Sequence, residues 1–206
     1  MNKPLFIVIE GLDGSGKSTA AKALADALVK RFSKKTLHTY EPHDPSCGGD
    51  YIRNVLKKKI TQFHHRTLAL AYAANRLDHN DRTIKPHLEK GDGHIVVSDR
   101  YYLSSLVYQS REGLSFEDVM QLNELALQPD LIFFLNVSNE TCYHRLNKRN
   151  EPQELFEENL DGTRKNYFAA IEFLRKTRQE KIVEIDGNGT VAEIVEQMIN
   201  VLTNLG

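Results

Sequence analysis

A chain of 206 residues has the length of one α/β domain and can bury a core of its own. A formal net charge of −1 advertises no basic surface for nucleic acid, and no apolar run approaches the ~20 residues that a membrane span needs. Two cysteines, Cys47 and Cys142, make neither a disulfide framework nor a C-x-x-C metal site, so both are expected to stay reduced in a cytosol. Lys3-Pro4 leads straight into the first apolar run with no signal peptide, and no internal repeat or low-complexity linker interrupts the chain. The basic run Lys57-Lys58-Lys59 reads as a solvated helix face. One compact, soluble, cytoplasmic domain is expected, with neither a membrane nor a nucleic-acid partner.

Leu5-Phe6-Ile7-Val8-Ile9-Glu10 is short, apolar and rich in β-formers, which predicts a buried strand. The next residues, Gly11-Leu12-Asp13-Gly14-Ser15-Gly16-Lys17-Ser18-Thr19, match G-x-x-x-x-G-K-[ST], and Ala21, Leu24, Ala25 and Leu28 then follow a helical period. Strand, glycine loop and helix are the context a phosphate-binding loop requires. The glycines let the backbone turn its N–H groups inward, and the helix start adds its positive dipole end. Lys17 can reach the β- and γ-phosphates of a nucleoside triphosphate, and the Ser18 hydroxyl can ligate Mg²⁺.

Thr36 to Glu41 predicts a second strand, closed by Pro42, and His43 to Asp50 a loop holding Pro45, Gly48 and Gly49. A short basic helix is expected over Tyr51 to Ile60, and a longer one over Thr67 to Glu89, bent or broken near Pro86. After the Gly91-Asp92-Gly93 turn, His94 to Ser98 is a third strand with Asp99-Arg100-Tyr101 at its carboxyl end. Helices are expected from about Tyr102 and from Ser115, which with Asp118 resembles a capping box. Leu131 to Val137 is a fourth strand, and a helix near Glu140 to Leu146 leads into a charge-dense, lid-like segment over 147–163. Helix over about Arg164 to Lys176, a fifth strand over Lys181 to Asp186, the Gly187-Asn188-Gly189 turn and a helix capped by Thr190 and Glu193 complete the pattern. Alternating strands and helices predict a five-stranded parallel sheet with helices on both faces, a three-layer phosphate-loop fold. Ligands bind beyond the carboxyl ends of such strands, so Asp13, Glu41 and Asp99-Arg100 should share one cleft.

Asp99, after an apolar strand, is placed to hold Mg²⁺ directly or through water, or else to cap the next helix. Tyr72 and Arg76 are i and i+4 on one helix face. An aromatic plane one turn before a guanidinium fits a stacked base and a gripped phosphate, and it equally fits a core Tyr beside a snorkelling Arg. The eight histidines, His64-His65 among them, form no convincing zinc pattern.

The phosphate loop, then Ala73-Ala74-Asn75-Arg76, Asp99-Arg100-Tyr101, Ser104-Ser105, Tyr108-Gln109 and Pro129-Asp130-Leu131, resemble the thymidylate kinase family in order and spacing. The resemblance runs from Phe6 to about Arg149, with a family-like last strand and helix. It implies transfer of the γ-phosphoryl group of ATP to dTMP, with Mg²⁺, in a homodimer. Residues 11–19 would hold ATP. Asp13 would meet the 3′-hydroxyl of dTMP, Tyr72 would stack on the base, and Arg76 and Arg100 would hold the acceptor phosphate. Ser104, Ser105 and Gln109 would lie along the thymine edge, Tyr108 would crowd the 2′ position, and Glu41 would complete the substrate pocket. Two departures stand out. The segment Tyr40 to Gly49 lacks the basic residue before Glu-Pro, and the Gly-Gly-Thr after it, that many relatives carry. Gly14 stands where one class of the family has an arginine. In the other class the lid supplies that charge, for which Arg149 is expected first and Arg145 second, with Lys148 nearby.

Other readings stay open on the sequence. A deoxynucleoside kinase, as distinct from another nucleoside monophosphate kinase, needs a carboxylate base for its hydroxyl acceptor, and Glu41 and Glu10 stand at strand ends. A guanine-reading nucleotide switch would use N-K-x-D after a strand, whereas Asn147-Lys148-Arg149-Asn150 lacks the Asp and follows a helix.

Overall fold

The computed structural model describes residues 3–148, 155–156 and 159–204. Five strands form one parallel sheet in the order β2-β3-β1-β4-β5: β1 Leu5–Gly11, β2 Lys35–Tyr40, β3 His94–Asp99, β4 Leu131–Asn136 and β5 Ile182–Asp186. Every residue of β3 is buried, as are all of β1 except Leu5 and all of β4 except Asn136, so alternate side chains are covered on both sides. α1 (Lys17–Phe32) packs with α9 (Val191–Asn204), while α5 (Tyr102–Gln109) packs with α8 (Leu160–Arg178), α3 (His65–His79) and α6 (Phe116–Leu122). The parallel register brings the carboxyl ends Gly11, Tyr40, Asp99 and Asn136 to one edge of the sheet. The expected architecture is therefore the observed one, and no helix among the described residues is long and apolar enough to cross a membrane.

Boundaries differ where side chains from distant segments decide them. The helix expected over Thr67 to Glu89 is α3, then a π-helical turn over Asn80–Ile84, then the single turn of α4, Lys85–Leu88. The irregularity thus precedes Pro86, which sits in the first turn of α4 where a missing N–H is tolerated. Asn80 marks its start and accepts from the Tyr101 hydroxyl and the Leu127 N–H, both at 2.7 Å. α2 spans Gly49–Leu56, earlier than expected, because Gly48 adopts a left-handed φ of 74° that turns the chain into it. α8 begins at Leu160 rather than Arg164, capped by Asn159, whose side chain accepts from the Gly162 N–H at 2.9 Å. α7 covers Asn139–Lys148. The capping boxes at Ser115–Asp118 and Thr190–Glu193 form as the sequence indicates.

Candidate active site

β1 delivers the chain into the glycine loop, and α1 starts at Lys17 with its N–H groups facing that loop. Gly14 and Gly16 hold φ of 81° and 85°, a region open chiefly to glycine. A Cβ on Gly14 would also lie 2.5 Å from the carbonyl oxygen of Cys142 on α7. A side chain at this position would therefore require the Cys142 carbonyl, and α7 with it, to shift. Positive charge reaches the loop from α7: Arg145 Nη1 donates to the carbonyls of Ser15 at 3.0 Å and Gly14 at 3.4 Å. Arg149 and Asn150 lie outside the described residues, as do 151–154 and 157–158 of the lid-like segment.

Lys17 is buried, and its ammonium donates to Leu12 O at 3.3 Å and to Asp13 Oδ1 at 3.0 Å. Ser18 Oγ donates to Asp99 Oδ2, while Asp99 Oδ1 is buried without a partner. A hydroxyl and a carboxylate side by side, one oxygen orphaned, are hard donors suited to a magnesium ion. Thr19, the last of the loop residues, is exposed on the first turn of α1.

Beside the loop opens a cleft. It is lined by Asp13, Glu41, Tyr72, Arg76, Arg100, Ser104, Ser105, Tyr108 and Gln109, so every residue expected to meet the acceptor stands in one wall or another. Arg100 is held hardest. Its backbone takes φ 71° and its N–H donates to Ile9 O at 2.9 Å. Its Nη1 donates to Ser104 Oγ at 2.9 Å and Tyr167 Oη at 3.0 Å, its Nη2 to Asp13 Oδ1, and the guanidinium lies 5.3 Å from the Tyr108 ring centre. A non-glycine residue in left-handed backbone at the end of a strand is a strain concentrated where a functional side chain is aimed.

Asp13 bridges Arg100 and Lys17. Burial alone pushes its carboxyl up, but the two cations prevail and hold it well below the usual carboxylate range. The Tyr108 hydroxyl donates to Asp13 Oδ2 at 3.3 Å, and burial followed by the Asp13 charge pushes that phenol up. On α5 the three polar residues part company. Ser104 Oγ is engaged by Arg100 and donates to Glu10 Oε2 at 2.7 Å, whereas Ser105 Oγ and Gln109 Oε1 are buried with no partner. Orphaned buried polar atoms in a cleft wall are paired by a ligand or by water.

The two carboxylates available to a hydroxyl acceptor are both committed. Glu10 is wholly buried; it accepts from the N–H groups of Tyr101 and Ser104 and from the hydroxyls of Ser104 and Tyr167. Burial pushes its carboxyl up, against the Arg100 charge. It ties β1 to the start of α5 and does not line the cleft. Glu41 accepts from Arg76 Nε at 2.7 Å, and its Oε1 lies 3.2 Å from His79 Nδ1. Arg76 is buried, with Nη1 donating to Asn123 Oδ1 and its guanidinium 5.2 Å from the Tyr101 ring centre.

Three residues of the site escape the sequence reading. Arg53 lines the cleft, with Nε on Asp44 Oδ1 at 2.6 Å and Nη2 on Pro42 O at 3.3 Å. The buried stripe of Ile52, Val55 and Leu56 around it marks a helix face turned to the core. Phe156, an isolated aromatic in a charge-dense segment, packs 5.3 Å from the Tyr108 ring. Tyr167 sits under the loop, its hydroxyl donating to Gly11 O at 3.1 Å; its spacing from Ala170, Ile171 and Leu174 in α8 was the available signal.

Residues 9–199 match the family model described as thymidylate kinase. The chain is 36% identical to a thymidylate kinase of Mycoplasma mobile over 95% of its length and 96% of the relative's. It is 32% identical to a probable thymidylate kinase of Caldivirga maquilingensis over 96% and 93% of the two lengths. A crystal structure of thymidylate kinase from Ehrlichia chaffeensis superposes with a TM-score of 0.72 at 25% identity, covering 97% of this chain and 99% of that one.

Proposed function

The chain belongs to the thymidylate kinase family, and we propose that it transfers the γ-phosphoryl group of ATP to dTMP, giving ADP and dTDP. One observation carries the reading: a single carboxylate, Asp13, joins the phosphate-loop Lys17 to Arg100 in the wall of the cleft. Groups suited to the donor and the acceptor thereby stand side by side.

A phosphate-monoester oxygen of dTMP attacks the γ-phosphorus while the bond from γ-phosphorus to the β–γ bridging oxygen breaks, leaving ADP. The acceptor's second pKa is ~6, so it arrives largely ionised and needs no base. That agrees with Glu10 and Glu41 being committed to protein donors. Catalysis is then positioning and charge neutralisation. Residues 11–19 cradle the ATP phosphates, and Lys17 leaves Asp13 for their β- and γ-oxygens. Arg76 and Arg100 grip the acceptor phosphate, with Arg53 at the same cleft. Arg149 acts on the transferring group, with Arg145, which donates to the loop carbonyls, second in this role. Ser18 and Asp99 would hold magnesium, which when bound supplies charge neutralisation across the β- and γ-phosphates. Ser105 and Gln109 bring the unpaired buried atoms that a thymine edge requires, with Ser104 beside them; Tyr72 stacks on the base and Tyr108 crowds the 2′ position. The same reading holds the chain to be one domain with a lid over 147–163 that closes on ATP, working as a cytoplasmic homodimer.

The test is ADP release with ATP and Mg²⁺ over dTMP, dUMP, ribose TMP, dCMP, dGMP and free thymidine. Fast turnover of dTMP, slower turnover of dUMP and none of thymidine is expected, since a pocket methyl is worth only about 1–3 kcal/mol. Turnover of thymidine in place of dTMP would overturn the assignment.

A further inference from the structure

Behind the Glu41 and Arg76 wall of the cleft lie two buried polar residues, Thr39 and His79, that the phosphoryl-transfer scheme does not use. Thr39 and Glu41 are i and i+2 at the end of β2, on one side of the strand, while Arg76 and His79 are i and i+3 on α3. The four side chains interlock. Thr39 Oγ1 lies 2.7 Å from His79 Nε2, His79 Nδ1 lies 3.2 Å from Glu41 Oε1, and Arg76 Nε donates to Glu41 Oε2 at 2.7 Å. The side chains of His79, Glu41 and Arg76 are 0%, 3% and 2% exposed. The His43 ring stacks on His79 with centroids 4.1 Å apart and planes 13° apart. Asn75 pins the loop that carries His43: its Oδ1 accepts from the His43 N–H at 2.8 Å, and its Nδ2 donates to His43 O and Cys47 O.

Resting on the acceptor-site reading above, we infer that His79 is a positioning residue for the acceptor: a proton on Nδ1 fixes the Glu41 carboxylate, which in turn sets the Arg76 guanidinium at the cleft. The Thr39 hydroxyl, donating to Nε2, keeps that proton on the Glu41 side. A carboxylate has two oxygens to orient. With Oε2 on Arg76 and Oε1 on His79, its plane is determined, and with it the direction of the guanidinium fork. Removing the second donor leaves a buried oxygen unpaired and the fork free to turn. The stacked His43 ties this device to the Tyr40–Gly49 loop, the stretch that departs from the family pattern.

His79→Asn and His79→Gln separate positioning from packing, because the Asn amide reaches the place of Nδ1 and the Gln amide that of Nε2. Each variant keeps one hydrogen-bond direction and loses the other. For His79→Gln and His79→Leu, kcat/KM for dTMP should fall on the order of tenfold or more, with KM for ATP within about twofold of the parent. His79→Asn should retain most of the acceptor efficiency while losing as much thermal stability as His79→Gln. Equal kinetic losses in Asn and Gln variants, or parallel rises in both KM values, would overturn the inference and leave His79 a packing residue. A second readout needs no turnover. ¹⁵N-detected imidazole shifts of the intact protein should show His79 protonated at Nδ1, and a proton on Nε2 alone refutes the device. Should the acceptor panel select another substrate, the Asn–Gln comparison is made on that substrate, and the ring proton is read as before.

Discussion

Replacing Gly14 by alanine tests how the donor side of the cleft is built. The substitution has two separable costs. Alanine at φ 81° pays the steric penalty of left-handed backbone, about 1–2 kcal/mol. Its Cβ would also meet the Cys142 carbonyl at 2.5 Å, a backbone atom that cannot rotate aside. Overpacking of this kind costs a further 1–3 kcal/mol or so. Relief requires α7 to move, and α7 carries Arg145, whose guanidinium sits on the Ser15 and Gly14 carbonyls. Gly93→Ala is the control: its φ is 77° and a Cβ there meets nothing within 4 Å, so it isolates the backbone term. In a chain of this size each kcal/mol lowers Tm by about 2–4 °C. Gly93→Ala should therefore lose roughly 2–8 °C, and Gly14→Ala roughly twice that. An ångström of displacement at a catalytic group can cost about a hundredfold in rate, so kcat should fall by that order in Gly14→Ala and stay unchanged in Gly93→Ala. Calorimetry with steady-state ADP release measures both. A Gly14→Ala protein as stable as Gly93→Ala, with parental kcat, would refute the claim that α7 and the loop are built to one another.

Three further outcomes follow from the same geometry. Lys17→Ala should nearly abolish ADP release while leaving the circular dichroism spectrum intact, and a retained rate would remove the loop from the chemistry. Tyr108→Ala should relax the choice between dTMP and ribose TMP; unchanged selectivity in competition assays would sink the proposed role of that ring. Asp13 is held below the usual carboxylate range, burial opposing and the Arg100 and Lys17 charges prevailing, so its pairing stabilises the fold above the ordinary Asp pKa of ~3.9 and is lost as pH falls through the lower folded value. The difference in urea unfolding free energy between the parent and Asp13→Asn should accordingly be steady near neutrality and shrink below about pH 4; a difference that grows with acid contradicts the sign.

What the sequence makes legible is local. The run from Leu5 to Thr19 encodes strand, loop and helix within one contiguous stretch, and both capping boxes are written in residues three apart. Strand-end positions placed Asp13, Glu41 and Asp99 at one edge because a parallel sheet leaves no other arrangement. The roles of Glu10 and His79 were not legible, since Glu10 spends its carboxylate on residues 91 to 157 positions away and His79 meets Thr39 forty positions back. Nothing nearby marks either as an internal tie rather than a base or a surface group. The early start of α8 was obscured by a charge-dense stretch in which Asn159 is a single polar cap among many polar residues.

In the proposed reaction phosphoryl moves from ATP to the 5′-phosphate of a deoxynucleotide and not to a hydroxyl or to water. ³¹P NMR of the enzyme with ATP, Mg²⁺ and equimolar dTMP and thymidine reads this in one sample. Resonances of dTDP should grow in step with those of ADP while thymidine stays untouched. Inorganic phosphate accumulating in their place, or new dTMP formed from thymidine, would contradict it.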